Sequence, residues 1–271
     1  MIKESFFYIL LALSNIVSFF FLTKKLFASS STSLFLTLIF SILPWQTQPD
    51  QLKKSKIIAL LLLNVLFLII YRNKKPLNFK KSLPFFILFL LPLLILTIPK
   101  LQAENLPFPP NEQDIGKIAL YRSSLNPVNP TFSRFYSNKA SVVLGKMERN
   151  FFESVDINNY FFATHPLERV GVKETEKFFS SLLPLFIVGL FFLKLANDSP
   201  LILWAVFLFL AGTLLSNRYF ETNLLLIPSF LLVIGRGFER LMAIKTVLIK
   251  TVILLPLFAF LVLEIIVFGL R

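Results

Sequence analysis

Apolar runs approaching the length of a membrane helix recur along almost the whole of this 271-residue chain, and no other feature limits its fold as strongly. A hydrocarbon core about 30 Å thick needs roughly 20 mostly apolar helical residues to cross it. Runs at 6–22, 33–45, 57–71, 83–98, 178–196, 201–215, 223–235 and 251–270 come near that length. Several are short, so flanking Ser, Thr and snorkelling Lys must extend them. The second is the weakest, and a re-entrant segment is its alternative. A soluble bundle would have to cover all these runs at once, in a chain that is 55% apolar and carries 33 Phe. That exceeds ordinary globular usage. The predicted class is an all-α polytopic membrane protein with about eight transmembrane helices. The first run precedes Lys24 and Lys25 and shows no small-residue cleavage site, so it reads as a retained helix rather than a signal peptide.

One long polar stretch, 101–181, separates the fourth run from the fifth. It divides the chain into an N-terminal four-helix membrane segment (1–100), a loop domain (101–181) and a C-terminal four-helix membrane segment (182–271). Nine Lys/Arg and nine Asp/Glu fall within 101–181, so the formal net charge of +13 belongs wholly to the rest. That excess sits beside apolar runs and reads as orientation signal and lipid contact, not as nucleic-acid binding. Arg72, Lys74, Lys75, Lys80 and Lys81 link the third run to the fourth, and Arg236, Arg240, Lys245 and Lys250 link the seventh to the eighth. With eight spans these links share a side with Lys24 and Lys25, which the positive-inside rule makes cytoplasmic. The long loop and both termini are then expected outside a cytoplasmic membrane. Lys53, Lys54 and Lys56 count against this side and are outvoted.

Several chemistries are excluded. There is no cysteine, so neither a disulfide framework nor a thiolate metal site exists, and a single histidine disfavours zinc. No GxxxxGK[ST] or GxGxxG phosphate loop occurs. Neither internal repeats nor midplane charges suggest a transporter. Within the long loop, Pro107–Pro110 and Pro127–Pro130 interrupt regular structure. Residues 115–125 and 140–154 read as helices, the second with Val143, Met147 and Phe151 on one face beside Leu144. That helix is expected either to lie along the membrane interface or to pack on the spans. Residues 158–166 read as an extended aromatic stretch. Gly235 before Arg236 reads as a helix stop, and Pro184, Pro228 and Pro256 as tolerated kinks.

The segments "FLTKKLF", "SILPWQTQPDQ" and "IALLLLNVLFLIIYRNKK" resemble early helices of GT-C membrane glycosyltransferases. The nearest group is the protein-mannosyltransferase-like and aminoarabinose-transferase-like enzymes of the bacterial envelope. "SRFYSNKASVVLGKMERNFFESVDINNYFFATHP" resembles their large external loop, and "NRYFETNLLLIPSFLLVIGRGFERL" resembles a later Arg-Tyr, helix and Pro pattern. The resemblance implies transfer of a sugar from a polyprenyl-phosphate donor to an envelope acceptor. In that group an acidic base, usually with a divalent metal, assists attack on the anomeric carbon. It also implies a first external loop bearing the catalytic acid. Here Met1, Ile2, Lys3 and Glu4 alone precede the first run, and they match no such loop. The chain by itself is therefore expected to be incomplete or inactive. Either an upstream-encoded helix-loop segment completes it, or it is a non-catalytic membrane scaffold or lipid-linked-sugar-binding protein.

The candidate site residues follow from these readings. A lipid-phosphate donor needs cations, and Arg can grip phosphate with two parallel hydrogen bonds. The resemblance points to Arg218 and Tyr219, for which the alternative is an interfacial anchor. Arg134 and Arg169 come second, with surface salt bridges as the alternative. Glu153, Asp156 and Glu168 are acids of the loop available as a base, although no paired spacing singles one out. His165, before Pro166, suits acid–base work or a purely structural place. Glu264 lies inside the last apolar run, where an ionisable side chain either snorkels or has a buried partner. Pro44 and Trp45 read as an interfacial anchor.

Overall fold

The structure, a computed structural model, describes residues 2–27, 29–43, 54–71, 91–92, 95, 110–125, 130–162, 178–193, 195–215 and 225–269. Among these it is helical throughout, with no strand. The N-terminal part holds α1 (Ile2–Leu26), α2 (Ser30–Ile42) and α3 (Lys54–Ile70). The polar stretch holds α4 (Glu112–Leu125), α5 (Pro130–Tyr136), α6 (Lys139–Val155) and the single turn α7 (Asn158–Phe161). A 3-10 turn, Ser180–Leu182, then leads into α8 (Leu183–Phe191), followed by α9 (Leu195–Leu215), α10 (Ile227–Met242) and α11 (Val247–Gly269).

Local sequence explains many of the helix starts. Asn111 and Asp114 exchange backbone and side-chain hydrogen bonds of 2.9 Å each, a capping box that opens α4. Asn138 and Ser141 do the same for α6, at 2.9 and 3.1 Å. Pro184 and Pro228 sit in the first turns of α8 and α10, where the missing N–H costs nothing. They are therefore starts rather than kinks, and Pro256 lies inside α11 as expected. Gly235 is no stop: α10 runs through it to Met242. Packing against α2, Phe27 and α8 outweighs the weak helix propensity of Gly235 and Gly237.

Side-chain pairs fix the helix directions. Asn15 donates its amide to Ile57 O at 3.0 Å and accepts from Asn64 Nδ2 at 3.3 Å, while Lys25 Nζ donates to Leu68 O at 3.3 Å, so α1 and α3 run parallel. Phe19 stacks on Phe40 with centroids 4.3 Å apart, folding α2 back along α1. Phe186 stacks on Phe230 at 4.7 Å, and Arg240 covers the Phe192 ring at 4.7 Å, so α8 and α10 are parallel. In α9 and α10, Trp204 Nε1 donates to Leu225 O at 3.0 Å, Ser229 Oγ donates to Leu201 O at 2.9 Å, and Asp198 meets Arg236, which is an antiparallel register. Arg236 also lies 4.8 Å from the Phe27 ring, which puts the end of α1 beside the end of α10. Thus α1, α3, α8 and α10 run toward an Arg236 end, and α2, α9 and α11 run away from it.

Two helices, Tyr8–Leu26 and Val247–Val267, are long and apolar enough to cross a membrane. Ser30–Ile42, Ile57–Ile70, Ser180–Phe191 and Asp198–Leu214 are apolar but shorter. At 1.5 Å per residue the 13-residue α2 reaches only about 20 Å. The fourth predicted run lies mostly outside the described residues, as do Pro44, Trp45 and the cationic link at 72–82. In the polar stretch α4 and α6 form as expected, but Asn158–Phe161 is a helical turn rather than extended chain. Burial of Tyr160 and Phe161 against Phe178, Phe186 and Phe230 draws that turn in.

Candidate functional site

The two ends of the bundle differ in chemistry. At the Arg236 end, Arg236 is 3% exposed and grips Asp198 with two prongs, Nε to Oδ2 at 3.0 Å and Nη2 to Oδ1 at 2.7 Å. Its Nη1 donates to Glu239 Oε2 at 2.8 Å. The guanidinium is thus satisfied within the bundle and is not presented to a surface as the link's charge count assumed. Sequence reasoning passed over Asp198. An acid between two apolar runs, with an Arg directly after a third, was the signal available.

At the opposite end the polar helices gather on the bundle. The α6 helix turns Val143, Asn150 and Ser154 inward, and Asn150 Nδ2 donates to Thr213 O at 3.2 Å near the end of α9. Of the two expectations, packing on the bundle is the one seen: α6 lies on α9 with Val143 buried, whereas Phe151, expected on the same face, stays exposed with Leu144 and Val155. Tyr160 Oη donates to Ser154 O at 2.6 Å, and Phe178 N donates to Tyr160 O at 2.9 Å. Burial, with the Asp156 charge adding to it, holds the Tyr160 hydroxyl well above the usual phenol range, so it remains a donor at neutral pH. Aromatic pairs of this kind each contribute about 0.5–1.5 kcal/mol beyond buried area.

Glu264 has a buried partner rather than a snorkelling path. It accepts from Ser180 N at 3.0 Å, from Ser181 N at 3.1 Å and from the Ser180 hydroxyl. A carboxylate on two free N–H groups at a helix start satisfies orphan donors and complements the helix dipole. The role is to pin α11 to the entry of α8.

Of the candidate site residues, Glu153, Asp156 and Arg134 are placed. Glu153 is half-buried on α6; Asp156 is exposed at its C-terminal cap and accepts from Asn158 N at 3.0 Å; Arg134 is exposed on α5. His165, Glu168, Arg169, Arg218 and Tyr219 lie outside the described residues. The residues that flank them are placed, however. Phe162 and Phe178 border one segment, and Thr213 and Leu225 stand near the borders of the other. All belong to the α6 end, through the Tyr160–Phe178–Phe230 stack, the Asn150 bond and the Trp204 bond. Among the described residues no group of three or more His, Asp or Glu is placed to hold a metal ion.

The Asp114–Lys146 ion pair ties α4 to α6 and is nearly enclosed, with side chains 4% and 13% exposed. Burial alone would raise the Asp114 carboxyl. The Lys146 and Asn111 hydrogen bonds, with the charges of Lys146 and Lys117, outweigh it and hold the group below its ordinary value. A lowered folded value means the stabilisation is complete above the unfolded carboxylate value, about 3.9, and is lost as pH falls through the folded one. Hydrogen exchange in α4, corrected for intrinsic rate, is expected to stay flat from neutral pH to about 4 and to rise below it. Asp114→Asn is expected to raise α4 exchange at neutral pH by an amount equivalent to about 1.5–3 kcal/mol and to abolish that pH dependence. Unchanged α4 protection in the variant would show that the pair is not what holds the helix.

Comparison of the chain with family models, with curated proteins and with solved structures gave no match.

Proposed function

We propose that this chain is a membrane glycosyltransferase-like protein that takes a polyprenyl-phosphate-linked sugar at the α6 end of the bundle, outside a cytoplasmic membrane. The observation that supports it is the common anchoring of two chain segments. One carries His165, Glu168 and Arg169, the other Arg218 and Tyr219, and their flanking residues meet at the end where Glu153 and Asp156 stand. The GT-C resemblance rests on the quoted segments. The eight-span topology is part of the same proposal, supported by helix directions that alternate wherever consecutive apolar helices are described. In this reading Arg218 grips the donor phosphate, Tyr219, Arg134 and Arg169 assist, and an acid of the polar stretch stands near the acceptor.

Binding of a polyprenyl-phosphate sugar by purified protein tests it. Arg218→Lys is expected to weaken binding by about 1.5–3 kcal/mol, because the two-pronged contact is lost while the charge remains. Equal binding by a normally folded variant would leave Arg218 as an interfacial anchor. A second reading, a non-catalytic lipid-linked-sugar binder or scaffold, is favoured by one specific observation. Among the described residues the two buried carboxylates and the half-buried Glu264 serve structure: Asp198 on Arg236, Asp114 on Lys146 and Glu264 on Ser180 and Ser181. Donor binding without release of polyprenyl phosphate would select that reading.

A further inference from the structure

The α11 helix is apolar around its circumference, yet it buries only a narrow side, with Leu257 and Leu261 in the core and Glu264 on Ser180 and Ser181. Beside that strip lies a shallow groove of about 760 Å³, open to its side and lined by α11 alone, running from Lys250 to Leu263 with Leu254, Leu255, Phe258 and Val262 between them. Among the described residues lining it, Lys250 is the one that carries a charge. It stands at the groove's end toward the Arg236 end of the bundle, on which Arg240 and Lys245 are also exposed. Asp198 and Glu239, the acids described in that region, are already bonded to Arg236.

We propose that this groove is a binding site for one anionic phospholipid, its phosphate on Lys250 and an acyl chain along Leu254, Phe258 and Val262. Length argues for a single lipid. From Lys250 to Leu263 the helix rises roughly 20 Å at 1.5 Å per residue, close to half of a 30 Å core plus a headgroup. Charge argues for an anionic one. A phosphate at Lys250 gains a cation and the Thr251 hydroxyl, which stands next to it on the groove. The ammonium of a zwitterionic headgroup would find Lys245 and Arg240 nearby, and both described acids, Asp198 and Glu239, are occupied by Arg236. The inference depends on the membrane placement of α11 and not on sugar transfer, so the two fail separately.

Native mass spectrometry of the full chain, titrated with phosphatidylglycerol and with phosphatidylcholine of the same acyl chains, tests it. Phosphatidylglycerol is expected to bind the tighter of the two. Lys250→Gln is expected to lower its affinity about fivefold, the worth of one lysine near an anionic lipid surface, and to leave phosphatidylcholine unchanged. Lys250→Arg should retain the preference. Ala259→Trp, which fills the groove from an exposed position, should weaken both lipids while the lipid-free melting temperature stays the same. Equal affinity for the two lipids, or no effect of Lys250→Gln, would overturn the proposal. So would competition by free glycerol phosphate as strong as that by the lipid, since the chain would then contribute nothing. A dimer that Ala259→Trp turns into a monomer would make the occupant a second copy of this chain and would also overturn it.

Discussion

Asp198→Asn is expected to lower unfolding stability by about 3 kcal/mol, the lower part of the range for breaking a buried ion pair. The size comes from what remains. Arg236 stays 3% exposed with a full charge and keeps Glu239, whose side chain is 27% exposed. The lost partner is the two-pronged, fully buried one. Trp204, fully buried on the same helix as Asp198, reports the transition by fluorescence in detergent-solubilised protein titrated with denaturant. The double variant Asp198→Leu/Arg236→Met removes both charges and is expected to recover most of the loss, because an apolar pair of similar bulk is often as stable as a buried ion pair. A loss under about 1 kcal/mol in the single variant would mean that water reaches this pair and that its worth is that of a surface pair. Such a result would return Arg236 to the role of a simple orientation charge.

Gly189→Ala is expected to destabilise by about 3 kcal/mol, at the top of the range for overpacking, and Gly237→Ala by a similar amount. A Cβ on Gly189 would overlap the carbonyl oxygen of Val233, and one on Gly237 would overlap that of Leu185. Both obstacles are backbone, so no rotamer change relieves them, and α8 must move away from α10. Close approach through glycine is the kind of packing that joins helices where lipid removes the hydrophobic drive between them. Gly235→Ala should cost less, since its obstacles are the side-chain tips of Leu36 and Phe27. Gly116→Ala and Gly145→Ala supply the control. Nothing lies near a Cβ at either position, and both are inside helices, so each should stabilise by about 0.5–1 kcal/mol. A common effect at all five glycines would show that helix propensity decides and that the α8–α10 crossing is looser than it stands here.

The two ends of the bundle put these variants in functional context. Both large effects fall away from the α6 end, so Asp198→Asn and Gly189→Ala should weaken donor binding only as far as they unfold the protein. Arg218→Lys should do the opposite, with binding reduced and stability kept.

Apolar periodicity and length were enough, from the sequence alone, to place most of the helices. The runs at 6–22, 57–71, 201–215 and 251–270 all contain real helices, and α4 and α6 fall where local pattern and polar starts put them. These features are local: a helix is selected by its own apolar content and caps, which lie within a few residues of each other. The polar pairings were not legible in the same way. Glu264 read as a snorkelling side chain ahead of one with a buried partner, and only the fold brings it to Ser180, 84 positions away. Arg236 read as a surface charge because Asp198 is 38 positions distant and belongs to another helix. Gly235 read as a stop because its propensity is local, whereas its neighbours Leu36 and Phe27 are contributed by α2 and the end of α1. Propensity is worth about 1 kcal/mol at a glycine, while breaking a buried ion pair or crowding a backbone crossing costs several. Those stronger interactions join residues far apart in the chain, and there the tertiary structure decided the outcome.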